Sequence, residues 1–507
     1  MRRLMLSVLL GLSGLGWAQQ PITITFLHKN DLHAHIEPTS VAGKSYGGYA
    51  RLQTLLARFR SQDPNPVVLN SGDTFQGTLY FNVYEGLADV ALLNAMGLAA
   101  HAVGNHEFDK GPAPLAAFAK AANFPLVAAN LDVSEEAALK DLVKPSVVVT
   151  VGGQRLGIVG AITDELLSIS MPGPTVKLKP LAESVQQAVD ALTAQGVNKI
   201  VLLSHLGFEK DLELVRKLKD VDLVIGGHSH TPLGLPDLPG FPRSQGSYPT
   251  RAKDGSGVEV PVFQAWEWGK VLGRFKADFD AEGKLVRIHD AAPVVVDETV
   301  PEDPVAAGVV QALKKPIQNL QNQPIGETKA EIPRDRLPGG ERLMGNLIAD
   351  AMLAATSRQG AVAAFTNAGG VRSAIDAGPI TYGEAISVLP FNNTLVILDV
   401  TGEELFQAIA HGAERGGMLL PSRGTSYTVQ GGKVVSVTVA GAPLDRSKVY
   451  RICLNSFTAQ GGDGHQVLRD AKGRRVDTGI VDIDAFVDFI KANSPLDLKP
   501  EGRIKSD

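Results

Sequence analysis

Asp, Asn and His residues recur in this chain at one kind of place, where an apolar run of strand character gives way to a glycine-bearing turn. They stand as Asp31-Leu32-His33, Gly72-Asp73, Gly104-Asn105-His106-Glu107, Ser204-His205 and Gly227-His228-Ser229-His230. Their side chains offer the nitrogen and oxygen atoms that hold divalent metal ions. Strand ends of one open sheet meet at one edge, so residues remote in sequence can converge there. Asp31 and His33 lie two apart, which in an extended segment turns both to the same side and lets them grip one ion. Asp73, with two carboxylate oxygens, is suited to bridge two ions, and Asn105, His205, His228 and His230 complete the shells. Two divalent ions against two carboxylates and one hydroxide leave about one positive charge, which draws a phosphoryl group. The pattern implies metal-dependent hydrolysis.

A lone strand-end Asp is more often a turn former, and a lone His more often a structural hydrogen-bonding residue. Concentration is what carries the argument: eight of the eleven histidines fall between His28 and His230. Of these, His28, His35 and His101 are assigned to structure, because the ligand seats are filled without them and each can pack or bond locally.

The elements that must position these residues can be outlined. From Ile22 to about Gly227, short β-branched runs alternate with longer helical stretches, which predicts βαβ units around a buried sheet. Strands are expected at 22–27, 67–70, 126–129, 156–161, 200–204 and 223–225, and helices at 49–60, 83–96 and 181–194. From 260 to 296 the pattern turns to apolar and polar alternation around Ala281-Glu282-Gly283, as in antiparallel hairpins. Residues 297–304 are acidic and proline-bearing, and 305–320 read as an amphipathic helix interrupted at Pro316, a linker. Beyond Pro324 a helix at 344–355 and strands at 395–400, 434–439 and 450–454 predict a separate α+β domain.

Composition bounds the rest. A chain of 507 residues exceeds what one core supports, so two or three domains are expected. A net charge of −5 gives no electrostatic footprint for a nucleic acid polymer. Arg2-Arg3, the apolar run 4–15 and Gly16-Trp17-Ala18 before Gln19 predict a signal peptide over residues 1–18, hence export to the periplasm or the medium. No run reaches the roughly 18 uninterrupted apolar residues of a spanning helix. Cys453, the one cysteine, is expected in the core, so stability rests on packing and bound metal. Oligomeric state leaves no mark on the sequence.

In order and spacing, Asn30-Asp31-Leu32-His33, Ser71-Gly72-Asp73, Gly104-Asn105-His106-Glu107-Phe108-Asp109, Ser204-His205 and Gly226-Gly227-His228-Ser229-His230 resemble the calcineurin-like metallophosphoesterases, and among them the exported 5'-nucleotidases and UDP-sugar hydrolases. The likeness continues through Gly345-Asn346-Leu347-Ile348-Ala349-Asp350, Asn367-Ala368-Gly369-Gly370-Val371-Arg372, Leu389-Pro390-Phe391-Asn392, Asn455-Ser456-Phe457 and Gly461-Gly462-Asp463-Gly464. It implies an α/β fold: a four-layer β-sandwich flanked by helices over 21–300, a linker helix over 301–324, and an α+β nucleotide-recognition domain over 325–507. It also implies that Asp31, His33, Asp73 and His230 seat one divalent ion and that Asp73, Asn105, His205 and His228 seat another, with Zn, Mn, Co and Fe all compatible with such ligands. By the same resemblance His106 and Asp109 form a catalytic pair, Phe457 stacks on a nucleobase, Asp463 accepts from ribose hydroxyls, and Asn367 and Arg372 contact sugar or phosphate. Asn346 and Phe391 are expected to serve the fold, near a helix start and in the core.

The sequence departs from the family at one point. Members hold the base between two aromatic rings, yet Met418 to Ser426 supplies no ring, so the clamp is either one-sided or completed by the Arg423 guanidinium. The expected activity is removal of phosphate from nucleoside 5'-monophosphates, with nucleoside di- and triphosphates and nucleotide sugars as further substrates. The alternatives are a 2',3'-cyclic nucleotide phosphodiesterase with 3'-nucleotidase activity, a sulfur-ester hydrolase in the same fold, and an exported nucleotide-binding protein without catalysis.

Overall fold

Ile22–Lys29 shows why the first half of the chain forms layers. Its side chains are buried on both faces, Ile24 and Phe26 in one core and Leu27 in another, the period-two alternation of a strand covered on each side. In the computed structural model, which describes residues 20–391, 393–415 and 417–506, this strand lies inside a seven-stranded sheet. The spatial order is Leu285–Val295, Val271–Phe279, Ile22–Lys29, Pro66–Asn70, Ala100–Ala102, Leu126–Val127 and Val143–Lys144. The last five run parallel, and Val271–Phe279 returns antiparallel. The predicted export segment lies outside the described residues.

A second sheet has six strands, in the order Thr250–Lys253, Glu259–Phe263, Leu223–Ile225, Ile200–His205, Gln154–Ile162 and Ser146–Val151. Phe26, Leu69, Ile158, Leu202 and Val224 fill the space between the sheets, where the rings of Phe263 and Phe275 stack at 3.7 Å and 3°. Helices Tyr49–Gln62, Leu87–Met96 and Pro112–Ala121 pack on the first sheet, Leu181–Ala194 and Phe208–Val215 on the second. The sandwich implied by the resemblance is therefore present, and the single open sheet expected from strand periodicity is not. Periodicity identifies strands but carries no information on which sheet each one joins.

Two local expectations also change. The helix predicted at 83–96 is two helices, Leu79–Tyr84 and Leu87–Met96, broken at Glu85 and Gly86, whose φ values are 50° and 88°. The Phe75 ring occupies the place a Cβ on Gly86 would need, 2.1 Å away, so glycine is required there. The linker helix Pro304–Gln321 runs through Pro316 without a break and is capped by the Asp303 carboxylate, which accepts from the N–H groups of Val305 and Ala306. It is fastened to the first half, Tyr84 Oη donating to Leu313 O at 2.9 Å and Lys314 Nζ meeting Glu37 Oε1 at 2.5 Å. Its last turn packs against the second half, Gln321 lying beside Gly383, and just past its end Tyr382 N–H donates to Gln323 O at 2.9 Å.

The second half is built on five strands in the order Leu419–Pro421, Ala363–Asn367, Val449–Asn455, Thr394–Thr401 and Arg475–Val481, with helices Leu343–Thr356 and Asp482–Asn493 against them. Cys453 sits buried in this sheet, as expected. Asn346, inside Leu343–Thr356, donates to Glu341 Oε1 at 2.8 Å and serves the fold as expected. Among the described residues no helix is long and apolar enough to cross a membrane.

Asp89, fully buried in Leu87–Met96, accepts from Tyr49 Oη at 2.8 Å through one oxygen, and its other oxygen has no partner among the described residues. Burial pushes its carboxyl up to about 7. The folded chain thus binds this proton more tightly than the unfolded chain, and stability falls as pH rises from about 4 to about 7. Asp89→Asn should flatten that slope, with a urea midpoint that changes less between pH 5 and pH 8 than in the parent; parallel slopes would refute it.

Candidate metal centre and substrate cavity

The ligand-type residues sit where parallel strands end. Asp31 and His33 follow Ile22–Lys29, Asp73 follows Pro66–Asn70, and Asn105 follows Ala100–Ala102, all on the first sheet. His205 closes Ile200–His205, and His228 and His230 follow Leu223–Ile225 on the second. The two sheets bring these ends together across the rim of the sandwich, and three groups of potential ligand atoms form there: Asp31, His33 and His230; His33, Asp73 and His106; Asp73, His205 and His228, each within 4.8 Å of one another. Five of these residues, Asp31, His33, Asp73, His228 and His230, hold left-handed backbone with φ from 47° to 74°. Such residues cost about 1 kcal/mol or more each and persist where the surroundings impose them, as at functional sites.

The imidazoles are oriented by their second nitrogens. His33 Nδ1 donates to Phe75 O at 3.1 Å, His205 Nδ1 to Ser71 O at 2.6 Å, and His230 Nδ1 to Glu267 Oε2 at 2.6 Å. Each leaves Nε2 for a ligand, the arrangement that fixes the tautomer of metal-binding histidines. His33 Nε2 and His230 Nε2 face each other at 3.1 Å, so two lone pairs converge where only a cation or a proton is tolerated. Asp73 Oδ2 lies 3.0 Å from His205 Nε2 and 3.9 Å from His33 Nε2, while Oδ1 accepts the backbone N–H of His106 at 2.9 Å. Asp73 therefore faces both halves of the cluster through one oxygen, not through the two expected from its sequence position. Asn105 Oδ1 is 3.2 Å from His205 Nε2.

Electrostatics give the same picture. Asp31 and Asp73 are buried, and among the described residues their charged partners are histidines, with no Lys or Arg in an ion pair with either. Burial opposes ionisation of Asp73, yet His205, His106 and His33 hold it well below the usual carboxylate range. Burial likewise opposes charge on His205 and His230, but Asp73 pushes the first up to about 9, and Asp31 with Glu267 the second up to about 10. Burial holds His33 at about 3 and His228 at about 4. Protons thus stand where positive charge is needed, and neutral imidazoles plus carboxylates are the donor set that suits two divalent first-row cations.

His106 Nδ1 meets Asp109 Oδ2 at 2.5 Å across one turn of the short helix His106–Phe108. Against burial, Asp109 and Asp73 push His106 up to about 9. Glu107 received no role from the sequence, yet its buried carboxylate accepts the N–H groups of Asp73, Thr74, Phe75 and Gly104 at 2.6 to 3.2 Å, tying two ligand loops together. Glu267 was missed as well. It orients His230 and is itself held by Lys270 Nζ at 2.6 Å, an ammonium 3.9 Å from the Trp268 ring centroid. Glu267→Gln should weaken divalent cation binding by about tenfold or more, read by calorimetric titration; unaltered affinity would remove Glu267 from the centre.

A cavity of about 830 Å³ opens from this cluster toward the second half of the chain, and Asn367, Arg372, Phe457 and Asp463 all line it opposite His33, His106 and His230. Asn367 Nδ2 donates to Asp463 Oδ2 at 2.7 Å and its Oδ1 accepts from Asn455 Nδ2 at 2.9 Å. Phe391 lines the cavity too, 6.4 Å from the His106 ring and 5.7 Å from the Arg372 guanidinium, so its expected core position is corrected. Arg423 is elsewhere: its side chain is exposed and pairs with Glu501 at 3.1 Å, away from the cavity. Arg423 therefore offers no plane for a base, and the second half of the chain brings two phenyl rings, Phe457 and Phe391, to the cavity. Arg334, Gln76 and Trp268 line the cavity unannounced by any motif. His28 and His101 are structural as expected, bonded to Tyr248 Oη at 2.6 Å and Thr74 Oγ1 at 2.8 Å. His35 reaches the cavity wall, stacked on Trp268 at 4.1 Å.

A sandwich of two mixed sheets with a bimetallic ligand cluster on its rim defines a metallophosphoesterase. The family profile described as calcineurin-like phosphoesterase matches residues 24–232, and that described as 5'-nucleotidase, C-terminal domain, matches 324–470. The bovine 5'-nucleotidase is 35% identical over 98% of this chain and 93% of its own length. The trifunctional nucleotide phosphoesterase protein of Bacillus subtilis is 34% identical over 95% of the chain, which spans 35% of that longer protein. The crystal structure of a 5'-nucleotidase precursor from Thermus thermophilus superposes with a TM-score of 0.82 at 43% identity, covering 96% of this chain and 99% of the other. The chain belongs to the 5'-nucleotidase family of calcineurin-like phosphoesterases, and it is a hydrolase with a two-metal site.

Proposed function

We propose that this chain is an exported enzyme that removes the phosphate from nucleoside 5'-monophosphates, acting in the periplasm or outside the cell. One observation carries the reading: a single cavity joins the ligand cluster on one wall to Asn367, Arg372, Phe457 and Asp463 on the other. Its volume, about 830 Å³, suits a nucleotide and leaves room for a second phosphate or a sugar. The reading divides the chain into a catalytic domain over 21–300, a linker over 301–324 and a recognition domain over 325–507.

In this reading Asp31, His33, Asp73 and His230 hold one divalent cation, and Asp73, Asn105, His205 and His228 the other. When bound, such a pair supplies Lewis-acid charge that neutralises phosphoryl oxygens and makes water acidic enough to attack at neutral pH. The Asp109 carboxylate against its Nδ1 favours a protonated His106, which would donate toward the phosphoryl oxygens or the leaving group as charge builds. Asp109 orients that imidazole. Phe457 offers a face to the base, Asp463 turns its second oxygen to the ribose hydroxyls, and Arg372 and Asn367 meet sugar or phosphate.

Because the linker helix is fastened to the first half as far as Lys314 and its last turn meets the second half at Gln321, a rotation of the recognition domain would pivot between Lys314 and Gln323, a shorter stretch than the whole helix. The test is phosphate release across nucleoside 5'-monophosphates, di- and triphosphates, 2',3'-cyclic nucleotides, 3'-monophosphates and nucleotide sugars, with Mn, Zn and Co varied. Highest kcat/KM for 5'-monophosphates is expected; preference for the cyclic or 3' esters would replace this reading with its alternative.

A further inference from the structure

Asp109 has two oxygens, and His106 uses only one. Oδ2 meets His106 Nδ1 at 2.5 Å, while Oδ1 accepts from Ser170 Oγ at 2.9 Å. Ser170 is 6% exposed and Asp109 8%, so neither bond is readily exchanged for water. A carboxylate held at one oxygen swings about its terminal torsion; held at both, it presents Oδ2 to the imidazole in one orientation.

The next residue looks the other way. Met171 Sδ accepts from Ser456 Oγ at 3.4 Å and from Gln460 Nε2 at 3.7 Å, both in the second half of the chain. Ser456 opens the short helix Ser456–Ala459 that carries Phe457, and Gln460 is its C-cap. Two consecutive residues therefore touch, on one side, the carboxylate that orients His106 and, on the other, the helix that bears the ring facing the cavity. Ser170 and Met171 themselves line that cavity.

We propose that Ser170 is a positioning residue for phosphate transfer, and that the Ser170-Met171 pair couples the seating of the recognition domain to the alignment of the His106 imidazole. The inference rests on the reading of His106 and Asp109 as the catalytic pair. When Ser456 and Gln460 engage Met171, the segment that delivers the Ser170 hydroxyl is braced from the far side of the cavity; when they leave, that brace is gone and Asp109 depends on His106 alone.

The experiment is steady-state kinetics on a nucleoside 5'-monophosphate with the metal-loaded full chain, comparing Ser170→Ala, Ser170→Thr, Met171→Ala, Ser170→Ala/Met171→Ala, His106→Ala and Ser170→Ala/His106→Ala. Ser170→Ala should lower kcat about tenfold with KM changed less than about twofold, and Ser170→Thr, which restores the hydroxyl, should recover most of the rate. Met171→Ala should lower kcat in the same direction, and the Ser170/Met171 double variant should be no slower than Ser170→Ala, because both act through one route. In the His106→Ala background, loss of Ser170 should cost nothing further. A wild-type kcat for Ser170→Ala, equal losses in the Ala and Thr variants, or losses that multiply with His106→Ala would overturn the proposal. If His106→Ala itself turns over at the wild-type rate, the reading of the catalytic pair fails instead; a crippled His106→Ala beside a fully active Ser170→Ala sinks the Ser170 inference alone.

Discussion

Asp73→Ala should yield a folded chain that retains little or no divalent metal after dialysis and has lost phosphate release by about 10³-fold or more. Oδ2 of Asp73 lies 3.0 Å from the His205 ring and 3.9 Å from the His33 ring, so it is the one negatively charged atom placed between both ligand groups. Without it, two cations would be brought close together with only the Asp31 carboxylate to offset them. Loss of Lewis-acid stabilisation worth several kcal/mol corresponds to about tenfold in rate for each 1.36 kcal/mol. Elemental analysis after dialysis, beside kcat, checks both halves of this prediction. An Asp73→Ala chain with a full metal complement and normal turnover would remove Asp73 from its bridging role.

His106→Ala should separate the two losses. The backbone N–H of His106, which donates to Asp73 Oδ1 at 2.9 Å, survives the substitution, so the ligand loops keep their shape and metal content stays at the wild-type level. What disappears is the imidazole held by Asp109, a donor for charge that grows only in the transition state. The expected result is a fall in kcat of about 10² to 10³-fold with normal metal content. A rate within twofold of the parent, with metals bound, would assign His106 to support of the neighbouring Asn105 alone.

The ligand residues were legible because two local signals coincide at most of them: an apolar run that ends, and a glycine or small residue that lets the chain turn. Asp73, Asn105, His205 and His228 follow that rule, Asp31 follows the end of its apolar run with no glycine beside it, and the structure gathers them with His33 and His230, Asn105 through its 3.2 Å contact with His205. The division into two sheets was not legible, since a strand buried on both faces has the same composition whichever sheet it joins. Gly86 illustrates the limit for helices: what breaks 79–96 into two is the Phe75 ring, a neighbour in space that no helical periodicity reveals. Arg423 stands in sequence where an aromatic is missing, yet its side chain pairs with Glu501, 78 residues away. Glu267 and Ser170 carry no motif at all. Their roles exist only because one meets the free nitrogen of His230 and the other the free oxygen of Asp109, and such pairings arise in the folded chain.

These converging side chains would hold two divalent cations, Asp73 facing both ligand groups, and hydrolysis would depend on both. Crystals of the chain loaded with manganese or zinc, examined by anomalous scattering, test it most directly. The account predicts two peaks, one among Asp31, His33, Asp73 and His230 and one among Asp73, Asn105, His205 and His228, in a preparation that loses phosphate release when both are chelated away. A preparation that hydrolyses nucleotides at full rate with no peak in either place would contradict it.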